Sequence, residues 1–465
     1  MNRKKKIIND TFIYTIGNFG SKLISFIMLP FFTMVLSVSE YGTIDIINTT
    51  ASLIIPIISL QLGDAAYRYL LEEDISKEKI FTNGLIVILI NSFIAIFLIT
   101  IINTDNEVFS KYKFIIVAII ISNSLYEYFN QVLRGLNFNK KYALSGIIYS
   151  AVFMSLSIIF ISKVKMGIMG YLLSQIITSI FIIFFNFISC KFYKLLVFKI
   201  ELDIIKLLLK YSTPLILNTL AWWILNVSDR YILNYIWGNE YVGLYAIANK
   251  IASILLVFNS IFFMAWQNIS IKEKNSKDRD VFYSRMFEYF YSFQILITIL
   301  ISIGSKFIFT YFIGEEFINA WYYVPLISLA LLFNTFAIFY ASNYITMKKT
   351  KEIMITTIIA AILNILLNII LIPSYKIWGA ILATTIAFFT IWMIRVLDKK
   401  IEIKILLKKK HLVYNIINIL VYNLFIMFSH EYNYVHIIIA IIVLIAFVII
   451  NFTLLKKLFK SLRRI

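Results

Sequence analysis

The chain is built from apolar blocks of about 20 residues, rich in Ile, Leu, Phe and Val, separated by short polar stretches that hold most of the charges. A block of that length can cross a ~30 Å hydrocarbon layer as an α-helix. Fourteen such segments are predicted, at about 10–36, 44–70, 80–102, 113–134, 142–162, 168–190, 211–236, 243–271, 286–309, 321–346, 352–373, 377–397, 411–429 and 435–455. The loops between them are short and hold no inserted soluble domain. The pattern predicts an all-α polytopic membrane protein.

Composition agrees with that reading. Of the 465 residues 60% are hydrophobic and 15% charged, and the mean hydropathy is +0.84. The net charge of +19 does not call for nucleic acid in so apolar a chain. It fits basic loops on one face of a membrane and contact with anionic phospholipids. An even number of spans puts both termini on one side. With the N-terminus in the cytoplasm, 34 of the 44 Lys and Arg fall on the cytoplasmic side, 6 on the other and 4 inside spans. That asymmetry predicts a multi-pass protein of the inner or plasma membrane with both termini cytoplasmic. The basic N-terminus runs into a long apolar segment with no small-residue cleavage site, so it reads as a first span and not a removed signal. One cysteine, Cys190, excludes a disulfide framework or a cysteine-based metal site.

The pattern also repeats. Glu40-Tyr41-Gly42 follows the first span and Glu240-Tyr241-Val242-Gly243 the seventh. Lys140-Lys141 opens the fifth span and leads to Gly167-Ile168-Met169-Gly170; Lys348-Lys349 opens the eleventh and leads to Ile377-Trp378-Gly379. Six spans per copy would give both copies one orientation, related by an axis along the membrane normal. The expected domains are residues 1–200 and 201–400, each a six-helix lobe, and 401–465, two further helices with a basic C-terminus.

Charges inside the spans mark the candidate site, because a charge in hydrocarbon is costly and normally faces a partner or a wet cavity. Thr11, Thr15, Asn18, Lys22 and Ser25 share one face of the first helix. Asp64 and Arg68 lie four residues apart in the second, where they can pair. Asp229 and Arg230 are adjacent, so their side chains diverge by roughly 100° and one of them must seek a partner on another helix. Lys250 sits near Tyr245 and Asn249 in the eighth. Lys22, Arg68, Arg230 and Lys250 are therefore the expected cavity cations, with Asn18, Ser25, Asn226 and Asn249 as polar lining. Asp64 and Asp229 are candidates for ion coupling or for pairing with those cations, and Asp45 lies nearer a helix end. Surplus positive charge suits an anionic substrate such as a phosphate or acidic sugar, where an exporter of organic cations would need the reverse. Glu127 is a lone carboxylate that could relay a proton, although the end of the fourth helix is the simpler place for it.

The remaining features are quieter. Pro30, Pro56, Pro214, Pro325 and Pro373 lie within or at the ends of spans, where they kink helices. Asn364 and Asn368 read as ties between helices, and Trp222-Trp223 as a weak candidate for a sugar-stacking face. No phosphate-binding G-x-x-x-x-G-K-[ST] loop, zinc-protease His spacing or Gly-x-Ser-x-Gly elbow occurs. His411, His430 and His436 have no metal-ligand spacing, so no catalytic residue, metal or cofactor is expected.

Leu29-Pro30-Phe31-Phe32-Thr33 with Leu36-Ser37-Val38-Ser39-Glu40-Tyr41-Gly42 resembles the first-helix signature of the polysaccharide transporter (oligosaccharide flippase) family. Ser228-Asp229-Arg230-Tyr231-Ile232-Leu233, then Gly243-Leu244-Tyr245 and Ala248-Asn249-Lys250, resembles its seventh- and eighth-helix signature. Asn364, Asn368, Ile372-Pro373 and Trp378-Gly379-Ala380 are similar to a pattern near the end of its second repeat. The resemblance implies two six-helix lobes around a central cavity, as in the multidrug and toxic-compound extrusion (MATE) superfamily, plus two C-terminal helices. It further implies transfer of an undecaprenyl-diphosphate-linked oligosaccharide to the outer leaflet by alternating access, driven by an unidentified ion, beside a glycan polymerase of the same pathway. A MATE-type multidrug antiporter and a membrane enzyme of glycan assembly are the alternatives; short, plain outer loops speak against the enzyme.

Overall fold

In the computed structural model, residues 20–72, 75–101, 107–197, 199–347, 349–398, 403–406, 409–428 and 434–462 are described. They are almost wholly helical, with no strand among them. The helices are α1 (Gly20–Val35), α2 (Val38–Ser59), α3 (Leu62–Glu72), α4 (Lys77–Ile101), α5 (Glu107–Gly135), α6 (Asn139–Ser157), α7 (Gly167–Ser189) and α8 (Leu202–Trp237). They continue as α9 (Asn239–Ala252), α10 (Ile254–Lys272), α11 (Arg279–Phe312), α12 (Val324–Thr346), α13 (Thr350–Leu397), α14 (Lys409–Phe428) and α15 (Tyr434–Leu462). Among the described residues 11 stretches are long and apolar enough to cross a membrane, α1 and α14 being shorter. Within the described residues each of the fourteen predicted segments falls on helix, α13 carrying two of them.

Three breaks interrupt the plain rods. The second predicted span breaks at Leu60 and Gln61, whose φ angles of 48° and 53° are left-handed, and this break separates α2 from α3. Pro56 has already removed a backbone donor in the last turn of α2, and the Ser59 hydroxyl accepts from the Gln61 amide. The eighth segment breaks at Ser253, between α9 and α10. The eleventh and twelfth meet at Lys376, where φ 54° and ψ −128° fold α13 in two. There Gly379 packs so closely that an added Cβ would stand 2.4 Å from the Leu371 carbonyl oxygen. The corresponding joint of the first repeat has left-handed Lys165 and Gly167, and Gly170 packs against the backbone of Phe160. At both joints a left-handed lysine and a glycine within five residues of it turn one predicted span into the next.

The packing divides the chain after Tyr231, within α8. In the first unit, Leu62, Ala65 and Leu70 of α3 meet Ile80 and Phe81 of α4 and Tyr128, Phe129 and Val132 of α5. The Tyr128 hydroxyl donates to the Phe81 carbonyl at 2.7 Å and lies over Gly84, which has no side chain to obstruct it. A second layer joins Ile47 and Ala51 of α2, Tyr112, Ile116 and Ile119 of α5, and Leu172 of α7. Ser37 caps α2 through a reciprocal box with Glu40, which fixes the sharp entry from α1.

In the second unit α12 is the buried axis, with almost every residue covered. Trp266, Phe287, Phe290 and Phe339 stack around it. Asn451 of α15 exchanges hydrogen bonds with Asn415 of α14 and accepts from Ser292 of α11, tying the last two helices to this unit. Apolar side chains such as Phe93, Phe97 and Ile449 face outward from both units, as contact with lipid requires.

Candidate functional site

Helix α8 carries polar side chains at intervals along an otherwise apolar run, and within the first unit they meet the second predicted span. The Gln61 amide donates to Thr219 Oγ1 at 3.0 Å. Trp223 Nε1 lies 3.0 Å from both the Thr49 carbonyl and Ser52 Oγ. The Tyr231 hydroxyl pairs with Thr50 Oγ1. Near the end of this seam Arg230 Nε comes within 2.8 Å of Asp45 Oδ2, an ion pair by distance and not an aligned hydrogen bond. Arg230 Nη1 also donates to the Asn226 carbonyl at 3.0 Å. The two side chains are 12% and 23% exposed, so the pair is neither sealed nor washed by solvent. Asp229, its neighbour, is buried and accepts from the Arg230 backbone amide. Arg230 finds a partner on another helix, Asp45 of α2.

Two polar cavities open inside the same unit. One, of about 410 Å³, is walled by the α2–α3 break and by α5, and its lining includes Gln61, Asp64, Ser124, Glu127 and Asn130. The other, of about 260 Å³, is lined by Ser21, Lys22 and Ser25 of α1 and by Tyr149 and Ser150 of α6. Tyr126, Asn130 and Tyr142 wall both, so the two adjoin.

The predicted residues are thus distributed unevenly. Lys22 and Ser25 line the second cavity, Asp64 the first, and Arg230, Asp229 and Asn226 sit at the α2–α8 seam. The expected Asp64–Arg68 pair is not formed. Arg68 reaches Glu72 one turn further along α3, at 2.6 Å, where both side chains are well exposed and cost little to keep charged. Asp64 instead faces α5, and its Oδ1 accepts from Gln131 Nε2 at 2.7 Å. Lys250 and Asn249 lie in the second unit on α9; Lys250 is exposed and Asn249 half-buried. Asn18 lies outside the described residues. Trp222 and Trp223 are both half-buried, and Trp223 donates its N–H to α2.

Three placements differ from the sequence reading. Asp45 is the Arg230 partner, and only the packing of α2 on α8 reveals it. Glu127 is no helix-end residue but stands in the wall of the larger cavity. Arg395, counted by sequence among loop cations, is buried at 1% exposure in the second unit. It donates to the Ala337 carbonyl and to the hydroxyls of Thr356 and Thr357, which ties α12 to both halves of α13.

Among the described residues no group of three or more His, Cys, Asp and Glu is placed to hold a metal ion. Comparison with known proteins agrees with a transport role. A family described as polysaccharide biosynthesis protein matches residues 7–268, more than half the chain, and the MatE family matches residues 214–370. Protein 1 of the Lsg locus of Haemophilus influenzae is 36% identical over 64 residues, and the match spans 14% of this chain and only 16% of that relative's length. Among solved structures, the lipid II flippase MurJ in an inward closed conformation is similar with a TM-score of 0.66 at 17% identity, covering 96% of this chain and 100% of that one. An inward-facing multidrug resistance MATE family transporter of the MOP superfamily gives 0.61 at 14% identity, over 82% and 92%. A MOP superfamily transporter from Pyrococcus furiosus, described by the reversed polarity of its binding pocket, gives 0.55 at 15%, over 84% and 95%. These likenesses establish the fold.

Proposed function

The chain belongs to the polysaccharide biosynthesis protein family, and from that membership, together with its likeness in fold to the lipid II flippase, we propose a flippase for undecaprenyl-diphosphate-linked oligosaccharide. It moves the headgroup from the cytoplasmic to the outer leaflet of the cell membrane while the polyprenyl tail stays in lipid. Both termini lie in the cytoplasm, held by basic loops against anionic phospholipid, and the delivered repeat unit passes to a glycan polymerase.

The observation that carries this reading is the Asp45–Arg230 pair. A guanidinium paired with a carboxylate across two otherwise apolar helices, yet still 12% exposed, is a cation that an anion entering the seam can reach. A diphosphate offers bidentate oxygens that displace or share Asp45. Lys22 in its polar cavity and Lys250 on α9 complete the proposed set of cations; Arg68, already met by Glu72 at an exposed position, adds less. Such a mechanism makes no bond and needs no catalytic group.

Purified protein in vesicles that carry a fluorescent undecaprenyl-diphosphate oligosaccharide tests the proposal. The label should become accessible to a membrane-impermeant quencher at a protein-dependent rate. A rate equal to that of empty vesicles, from folded protein, would defeat it.

A further inference from the structure

The break between α2 and α3 is an irregularity that the local sequence does not ask for. Residues 44–70 read as one span, and Leu and Gln are both good helix formers. Yet Leu60 has φ 48° and ψ 27°, and Gln61 has φ 53°. They are the one consecutive pair of left-handed residues without glycine among the described residues. That conformation crowds an L side chain, so local preference opposes the break and packing must hold it. Three contacts do so. The Gln61 backbone amide donates to Ser59 Oγ at 3.3 Å. Beyond the break, Asp64 Oδ1 accepts from Gln131 Nε2, which pins α3 to α5. The third contact reaches α8: Gln61 Nε2 donates to Thr219 Oγ1 at 3.0 Å, while the Thr219 hydroxyl donates to the Leu215 carbonyl.

Gln61 is also a wall residue of the larger cavity, together with Ser59, Gly63 and Asp64. One residue therefore touches both the α2–α8 seam and the cavity. Pro56, one turn before the break, supplies no backbone donor, so the helix is already weakened there. A segment whose local preference favours one conformation while a tertiary contact selects another has two states for that contact to choose between. We propose that Leu60 and Gln61 form a hinge latched by Thr219. While α8 lies against α2, the second span stays bent. When the contact is lost, the two residues return to right-handed helix and draw Gln61 and Asp64 out of the cavity wall. Passage of cargo along the seam as the event that releases the latch rests on the flippase reading above; the hinge itself does not.

Spin labels at Ser39→Cys and Leu71→Cys, both exposed positions, measure the bend without any cargo in the full-length chain, its single cysteine replaced by Cys190→Ser. A continuous helix would set the two backbone positions about 48 Å apart, 32 steps of about 1.5 Å. Double electron–electron resonance should give one shorter distance in this background. Thr219→Val, which removes the acceptor and keeps the side-chain shape, should raise a population near the length of the continuous helix from undetected to a major fraction. Leu60→Gly added to Thr219→Val should restore the shorter distance, because glycine takes the left-handed conformation without crowding and joins a helix less readily. A distance already that of the continuous helix in the background protein would overturn the hinge. So would an unchanged short distance in folded Thr219→Val, or a long distance that persists after Leu60→Gly is added. If Thr219→Val fails to fold, Gln61→Ala decides by the same distances.

Discussion

At the scale of single residues, the value of a charge depends on what surrounds it. Arg230 and Arg68 both belong to ion pairs, yet one lies in a half-closed seam and the other in the open. Arg230→Ala should abolish cargo transfer in the vesicle assay while leaving the fold largely intact, and Lys250→Ala should impair it. Normal transfer by well-expressed forms of both would remove the cations from the mechanism. Arg68→Ala is expected to change stability by no more than about 1 kcal/mol, the usual worth of an exposed pair. Arg395→Ala should cost about 3 kcal/mol or more, because it strips three buried acceptors of their donor; comparative thermal unfolding of the two variants checks the contrast. Glu201, in the loop before α8, is held below the usual glutamate range chiefly by a hydrogen bond from Lys79, with the charges of Lys79 and Lys199 assisting. A depressed carboxylate contributes stability that is complete above its unfolded value, 4.5 here, and is lost as pH falls through the lower folded value. The acid-side fall in thermal midpoint should therefore be shallower in Glu201→Gln than in wild type. Identical profiles would show that the cluster carries no pH-linked stability.

Elements were more legible than their irregularities. Long apolar blocks bounded by charges are enough to place helices, because in lipid every backbone group must be bonded within its own segment. Where a helix breaks depends on tertiary packing. Nothing in Leu60-Gln61 announces a left-handed pair; the break is stabilised by Ser59 and by the reach of Gln61 to Thr219 on α8. The glycines of the two joints, Gly167 with Gly170 and Gly379, were visible as repeated landmarks, but the left-handed Lys165 and Lys376 beside them were not. Gly379 is the sharpest of them, since a methyl group there meets the Leu371 backbone at 2.4 Å. Gly379→Ala should lower the stability of the second unit by about 1–3 kcal/mol, the usual cost of overpacking, seen as earlier loss of helix on heating. An alanine variant as stable as wild type would mean that the joint has room to open. Gly304, whose added Cβ would meet nothing within 4 Å, is the matched control and should tolerate alanine.

For the whole molecule, the sequence carried the class, the helical segments and the family resemblance, because each is written in local pattern. The candidate site was only half legible. Lys22, Asp64 and Arg230 could be singled out as charges in apolar helices, but their partners are set by which helix faces which. Asp45 and Glu127 were therefore ranked low, and Asp64 was matched with the wrong neighbour on its own helix. Transfer of a lipid-linked headgroup remains the central claim, and leaflet sidedness tests it most directly. In cells that lack this chain, the lipid-linked oligosaccharide should accumulate on the cytoplasmic face of the membrane and the surface glycan should disappear, both reversed by wild-type protein and not by Arg230→Ala. Single repeat units that still reach the outer face of such cells would contradict the account.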